Sequence, residues 1–139
     1  MKKYIEKLFA PTLTAIEDTF QDQYGDFGVP AEYQRYIAGF GADVAQMGLL
    51  PTLAVYADKG SASARDKGAL LRILQTVLRS DASDFPYKDR ILDDTDLFRA
   101  AVAMNDKQRG ELRRHILYVA VSVKLCIRTF KTFRSHERT

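Results

Sequence analysis

The sequence predicts an all-α fold: a compact bundle of about six helices closed by a long C-terminal helix. Three observations carry this expectation. Apolar residues recur three and four apart in segment after segment, which is the period of an amphipathic helix. Glycine and proline punctuate the chain at positions that stop one helix and start the next. No Asn-Gly hairpin signal and no regular strand alternation occurs anywhere.

In the first segment Ile5, Leu8, Phe9, Leu13, Ile16 and Phe20 fall at helical spacing. Pro11 lies inside that pattern and lacks the donor the preceding turn needs, so it kinks the helix or splits it at Ala10. QDQYGDFGVP reads as a loop whose closing Pro30 suits the first turn of a second helix. That helix carries Tyr33, Ile37, Phe40, Val44 and Met47 on one face, with Gly39 and Gly41 small enough for a neighbouring helix to come close. Gly48 fits its end and Pro51 the opening turn of the next. A third, short helix then runs from about Leu50 to Ala57 and buries Leu50, Leu53 and Ala54.

After the small-residue loop KGSASARDKG, Ser61 or Ser63 can cap a fourth helix running through Arg79. Its core side is Leu70, Leu71, Leu74, Val77 and Leu78, and Arg65, Lys67, Arg72 and Arg79 lie off that stripe. SDASDFPYKDRILDD reads as a long connection. Asp94 or Thr95 can cap a fifth, short helix with Leu97, Phe98, Ala101 and Met104 inward. Asn105 or Asp106 caps the last and longest helix, expected to reach about Phe133 with Leu112, Ile116, Val119, Val123, Cys126, Ile127 and Phe130 buried. A chain of 139 residues is the size of one ordinary domain, so residues 1–139 are read as a single helical domain.

Chemistry is sparse. His115 and His136 are far apart, and neither has a second ligand at metal-binding spacing. Cys126, the one cysteine, falls on a buried helix face and cannot form an internal bridge; this points to a reducing, cytoplasmic setting. GSASARDKG lacks the spacing of a phosphate-binding loop. Asp93, Asp94 and Asp96 are explained by the dipole at a helix start rather than by a divalent ion. No catalytic group, metal or cofactor is expected. Glu6, Lys7, Glu17 and Asp18 interrupt any membrane span or export signal at the N-terminus.

Charge is the informative property. Residues 1–58 hold four basic and eight acidic side chains, residues 59–106 eight of each, and residues 107–139 nine basic and two acidic. The basic excess lies along the last helix, at Lys107, Arg109, Arg113, Arg114, Lys124, Arg128, Lys131 and Arg134. Such a segment suits a polyanion, and the plainer reading is a solvated helix face or a dock for an acidic neighbour.

Three consecutive stretches carry a resemblance. YQRYIAGFGADVAQ starts a helix with an aromatic residue, GLLPTLAVYADK turns a Gly-Leu corner into an apolar helix that ends in lysine, and ALLRILQTVLRS is amphipathic. In this order, followed by a long closing helix, the chain resembles the small all-helical subunit of the Cmr effector complex, the type III-B CRISPR RNA-targeting machine. The resemblance is densest over residues 31–80. It implies a non-catalytic building block that stacks on itself and on the other subunits and lies along guide and target RNA. Carried onto this sequence, it implies RNA contacts at Lys59, Arg65, Lys67 and Arg72, with Arg113, Arg114 and Lys124 on the last helix as a second group.

Two other readings remain open from the residues. One is the equivalent small subunit of the type III-A complex. The other is a helical interaction or regulatory module that binds a protein partner through its amphipathic C-terminal helix.

Overall fold

The computed structural model describes residues 2–20, 28–57, 67–92 and 96–133. Through them run α1 (Lys2–Lys7), α2 (Phe9–Phe20), α3 (Glu32–Met47), α4 (Leu49–Ala57), α5 (Gly68–Arg79), α6 (Leu97–Val102) and α7 (Asp106–Ile127). The fold is all-α, as the periodicity predicts. The capping serines Ser61 and Ser63, the candidate caps Asp94 and Thr95, and the basic residues Lys59, Arg65 and Arg134 lie outside the described residues.

The first amphipathic segment is two helices, and the break falls at Leu8 rather than at Ala10. Proline removes the bond to the carbonyl four residues back and its ring clashes there, so the disturbance appears a turn ahead of Pro11. Pro11 itself sits in the opening turn of α2, where its missing N–H has no partner to lose.

At the α3–α4 corner Gly48 takes φ +91° and ψ 167° and donates its N–H to Val44 O. Pro51 follows in the first turn of α4. Tyr33, Ile37, Phe40 and Val44 are buried as expected, but Met47 is 43% exposed, because the chain turns away one residue later. On α4 the buried face is Leu49, Thr52, Leu53 and Tyr56, rotated from the expected Leu50, Leu53 and Ala54. A short helix that is apolar nearly all round has no sharp stripe, and packing chooses the face.

α5 buries every residue expected of it, together with Ala69 and Ile73. It packs on α2 and α7, and α3 lies against α7, so the central seam is α2, α5 and α7. The connection after α5 is packed rather than loose: Ser83, Phe85 and Ile91 are buried, and Lys88 Nζ donates to Ser80 O at 2.8 Å.

Asp96, not Asp94 or Thr95, caps α6 through the Arg99 N–H. Asn105 caps α7 in a reciprocal box with Gln108, one of the two expected positions. α7 ends at Ile127, short of Phe133. There the Thr129 hydroxyl donates to Cys126 O at 2.7 Å and competes for a helix carbonyl. The chain then pairs as β2 (Thr132–Phe133) in parallel with β1 (Val29–Pro30). Pro30 therefore stands in an extended pair two residues before α3, where no donor is asked of it, rather than in the first helical turn. Among the described residues no helix is long and apolar enough to cross a membrane.

Candidate nucleic-acid interface

The basic residues divide between two places. Lys67 stands at the start of α5, and Arg72 lies on that helix's exposed side, opposite its buried leucines. Arg113, Arg114 and Lys124 lie along α7. Lys59 and Arg65 fall outside the described residues.

Along α7, eleven positions separate Arg113 from Lys124, a rotation of about 20° and a rise of about 16 Å, so both lie on one flank. Lys107 and Arg114 form a second row by the same geometry, about 100° further round. Arg113 and Arg114 are exposed and Lys124 is half-buried. Arg114 lies 3.4 Å from Glu111, an exposed contact that leaves other guanidinium donors for a ligand. Val121 lies between the rows and Leu125 on the second of them, 41% and 46% exposed, an apolar strip within the cationic face.

Lys67 is more constrained than its spacing suggests. Its ammonium sits 4.9 Å from the Tyr36 ring centroid and 5.1 Å from that of Tyr56. Arg35 covers the same Tyr36 ring at 5.5 Å. Tyr56 shares its hydroxyl proton between Tyr36 O at 2.9 Å and Asp43 Oδ2 at 3.0 Å. Burial, then that bond to Asp43, push the Tyr56 hydroxyl pKa up, so it remains a donor. The result is a cation and aromatic cluster at the junction of α3, α4 and α5. Sequence spacing gives no sign of Arg35 and Tyr36 as its members.

Arg109 leaves the surface set. Its guanidinium donates to the carbonyls of Ala101, Val102 and Met104 and to Asp106 Oδ1, closing the end of α6. A further polar cluster, at His115, unites α1, the turn at Asp84 and α7. The Tyr4 hydroxyl accepts the Asp84 N–H at 3.1 Å and gives its own proton to His115 Nδ1 at 2.9 Å. The opposite tautomer would turn the bare Nε2 lone pair toward the Glu111 carboxylate. Burial, then Arg114, lower the His115 pKa against the opposing pull of Glu111 and Asp84, which keeps the ring neutral near pH 7.

Comparison with known proteins places these features in a family. Neither a curated protein nor a solved structure matches the chain. The family described as CRISPR-associated protein (Cas_Cmr5) matches residues 13–126, from α2 to the last turn of α7. That span takes in the Gly48 corner, the α5 stripe and the basic rows of α7, and the chain belongs to this CRISPR-associated family, Cmr5.

Proposed function

We propose that this chain is the non-catalytic small subunit of a type III-B CRISPR RNA-guided effector complex, a single helical domain that stacks with neighbouring subunits and holds guide–target RNA by its phosphates. Base pairing supplies the specificity, and the protein supplies charge and shape. The observation that carries the reading is the basic face of α7, where Arg113 and Lys124 share one flank and Lys107 and Arg114 the next. Lys67, at the aromatic junction of α3, α4 and α5, and Arg72 on α5 form the other basic group.

Reversing Arg113, Arg114 and Lys124 together to glutamate tests this. The expected result is weaker retention of target RNA by the assembled complex and a fold unchanged by circular dichroism. The salt dependence of binding should flatten by about two in log–log slope, as three single-strand phosphate contacts are lost. Unchanged retention at moderate salt would remove the RNA-contact role.

The exposed pair Val121 and Leu125 favours a second reading, in which α7 docks a protein partner. Replacing both by serine separates the two. Loss of subunit association with RNA affinity intact assigns the strip to protein contact.

A further inference from the structure

We propose that the cavity between α1, the turn at Asp84 and α7 receives one unstacked nucleobase of a bound RNA strand. This rests on the RNA-contact reading and adds to it a site for the base itself. The cavity measures about 360 Å³, within the range of small-ligand sites, which runs from about 300 to 1,000 Å³.

Its walls combine three aromatic rings, those of Tyr4, His115 and Tyr118, with the charged Asp84, Glu111 and Arg114. Tyr4 stands edge-on to His115 at 5.6 Å and to Tyr118 at 5.5 Å, and Pro86 closes one side. Half-buried tyrosine rings of this kind are platforms for splayed-out bases. Charges at the rim are already balanced: Lys7 lies 3.0 Å from Asp84, and Arg114 lies 3.4 Å from Glu111. An occupant therefore meets neither a bare carboxylate pair nor a bare cation. Arg114 also belongs to the basic row of α7, so a strand lying along that row passes the mouth of the cavity.

The polar groups inside are set for a heteroaromatic edge. His115 is only 3% exposed, and its Nδ1 is taken by Tyr4. Its Nε2 lies 3.6 Å from Glu111 Oε2, too long for a hydrogen bond. No fully enclosed side-chain nitrogen or oxygen among the described residues lacks a partner, so Nε2 opens onto the cavity it lines. Its N–H is a donor offered beside a carboxylate acceptor. All four bases present a neighbouring acceptor and donor on the Watson–Crick edge: N1 and N6 of adenine, N3 and N4 of cytosine, O6 and N1 of guanine, O4 and N3 of uracil. The pair His115 and Glu111 thus recognises a base as such and does not read which one it is. That suits a subunit whose RNA sequence is set by pairing elsewhere.

The test compares two strands on the full chain: a short single-stranded RNA and a uniformly abasic strand of the same length, which keeps the phosphates. The wild type should bind the intact strand about tenfold more tightly, the size of one stacked base. Tyr118→Leu should close most of that gap by weakening only the intact strand, and Glu111→Ala should narrow it even though release of Arg114 favours both strands, while Tyr118→Phe, which keeps the ring, preserves it. Thermal unfolding checks that each variant is folded, and the half-buried Glu111 provides a change that removes no apolar core side chain. Equal affinity of the wild type for both strands, or a gap that survives Tyr118→Leu and Glu111→Ala, overturns the base site and leaves the phosphate reading standing. If neither strand binds, the base site falls, and the phosphate reading is decided by RNA retention in the assembled complex.

Discussion

The hydroxyl of Tyr4 meets Nδ1 of His115 at 2.9 Å, joining the first helix to the middle of the last across 111 positions of sequence. Facing His115 are Tyr4 from α1, Asp84 and Phe85 from the turn, and Glu111 and Arg114 from its own helix; burial and then Arg114 keep the ring neutral, while Glu111 and Asp84 pull the other way. Its pKa in the fold lies below the ordinary 6.5. The unfolded chain therefore takes up a proton first as pH falls, and stability drops below about pH 6.5 until the folded pKa is reached. One proton limits the slope to about 1.4 kcal/mol per pH unit. Unfolding midpoints measured between pH 7.5 and about 5 should show this slope in the wild type and a shallower one in His115→Gln. Equal slopes would remove His115 as the titrating group.

Gly48 and Gly41 predict opposite signs. Gly48 occupies φ +91° and ψ 167°, a region open essentially to glycine alone, so Gly48→Ala should destabilise by about 1–3 kcal/mol. A methyl group there would meet Pro51 Cδ at an ordinary 3.8 Å, so the penalty is conformational rather than steric. At Gly41, inside α3, an added Cβ would sit 4.0 Å from Leu117 Cδ2. Helix propensity then governs, and Gly41→Ala should stabilise by about 0.5–1 kcal/mol. Denaturant midpoints of the two variants moving the same way would contradict the contrast.

Two arginines four positions apart should separate fold from surface. Arg109 donates to the carbonyls of Val102 and Met104 where α6 ends, and to Ala101 O, which the Met104 N–H also reaches at 3.1 Å. Arg109→Ala should cost about 1–2 kcal/mol in chemical denaturation. Arg113 is exposed, and Arg113→Ala should stay within about 0.5 kcal/mol. In RNA retention the order should reverse, with Arg113→Ala the weaker binder among folded proteins.

What could be read from the chain alone follows the range of the interactions. The α5 stripe was legible because Leu70, Leu71, Leu74, Val77 and Leu78 obey a local period, and all are buried. The Gly48–Pro51 corner was legible because backbone conformation at glycine and proline is local chemistry. The inward face of α4 was not, since Tyr56 is fixed by partners on α3 at Tyr36 and Asp43. Lys67 could be picked out as basic, but its place over two tyrosine rings depends on how three helices meet. The His115 cluster left no trace in spacing, because its members come from positions 4, 84, 111 and 115. Lys59 and Arg65, outside the described residues, stand only on the family resemblance and their charge.

Thr12 and Ser122 join α2 to α7 through their hydroxyl groups. Both are fully buried, and their hydroxyl oxygens lie 2.8 Å apart between α2 and α7. Thr12 also donates to Leu8 O at 2.7 Å, across the break that Pro11 imposes, so its proton is spent there and it accepts the proton of Ser122. The two single changes are therefore unequal. Thr12→Val takes from the Ser122 hydroxyl its oxygen partner, leaving it the weaker sulfur of Cys126, and strips a bond from the helix break, for a loss of about 1–3 kcal/mol. Ser122→Ala removes a donor, while Thr12 keeps its bond to Leu8, so the loss should be nearer 1 kcal/mol. In the double variant no hydroxyl is left stranded, and its destabilisation should fall short of the sum of the singles by at least about 0.5 kcal/mol. Strict additivity in a double-mutant cycle would mean that the pair is a close approach without a shared proton. The α1–α2 break would then be held by the Thr12–Leu8 bond and the apolar seam, with nothing from Ser122.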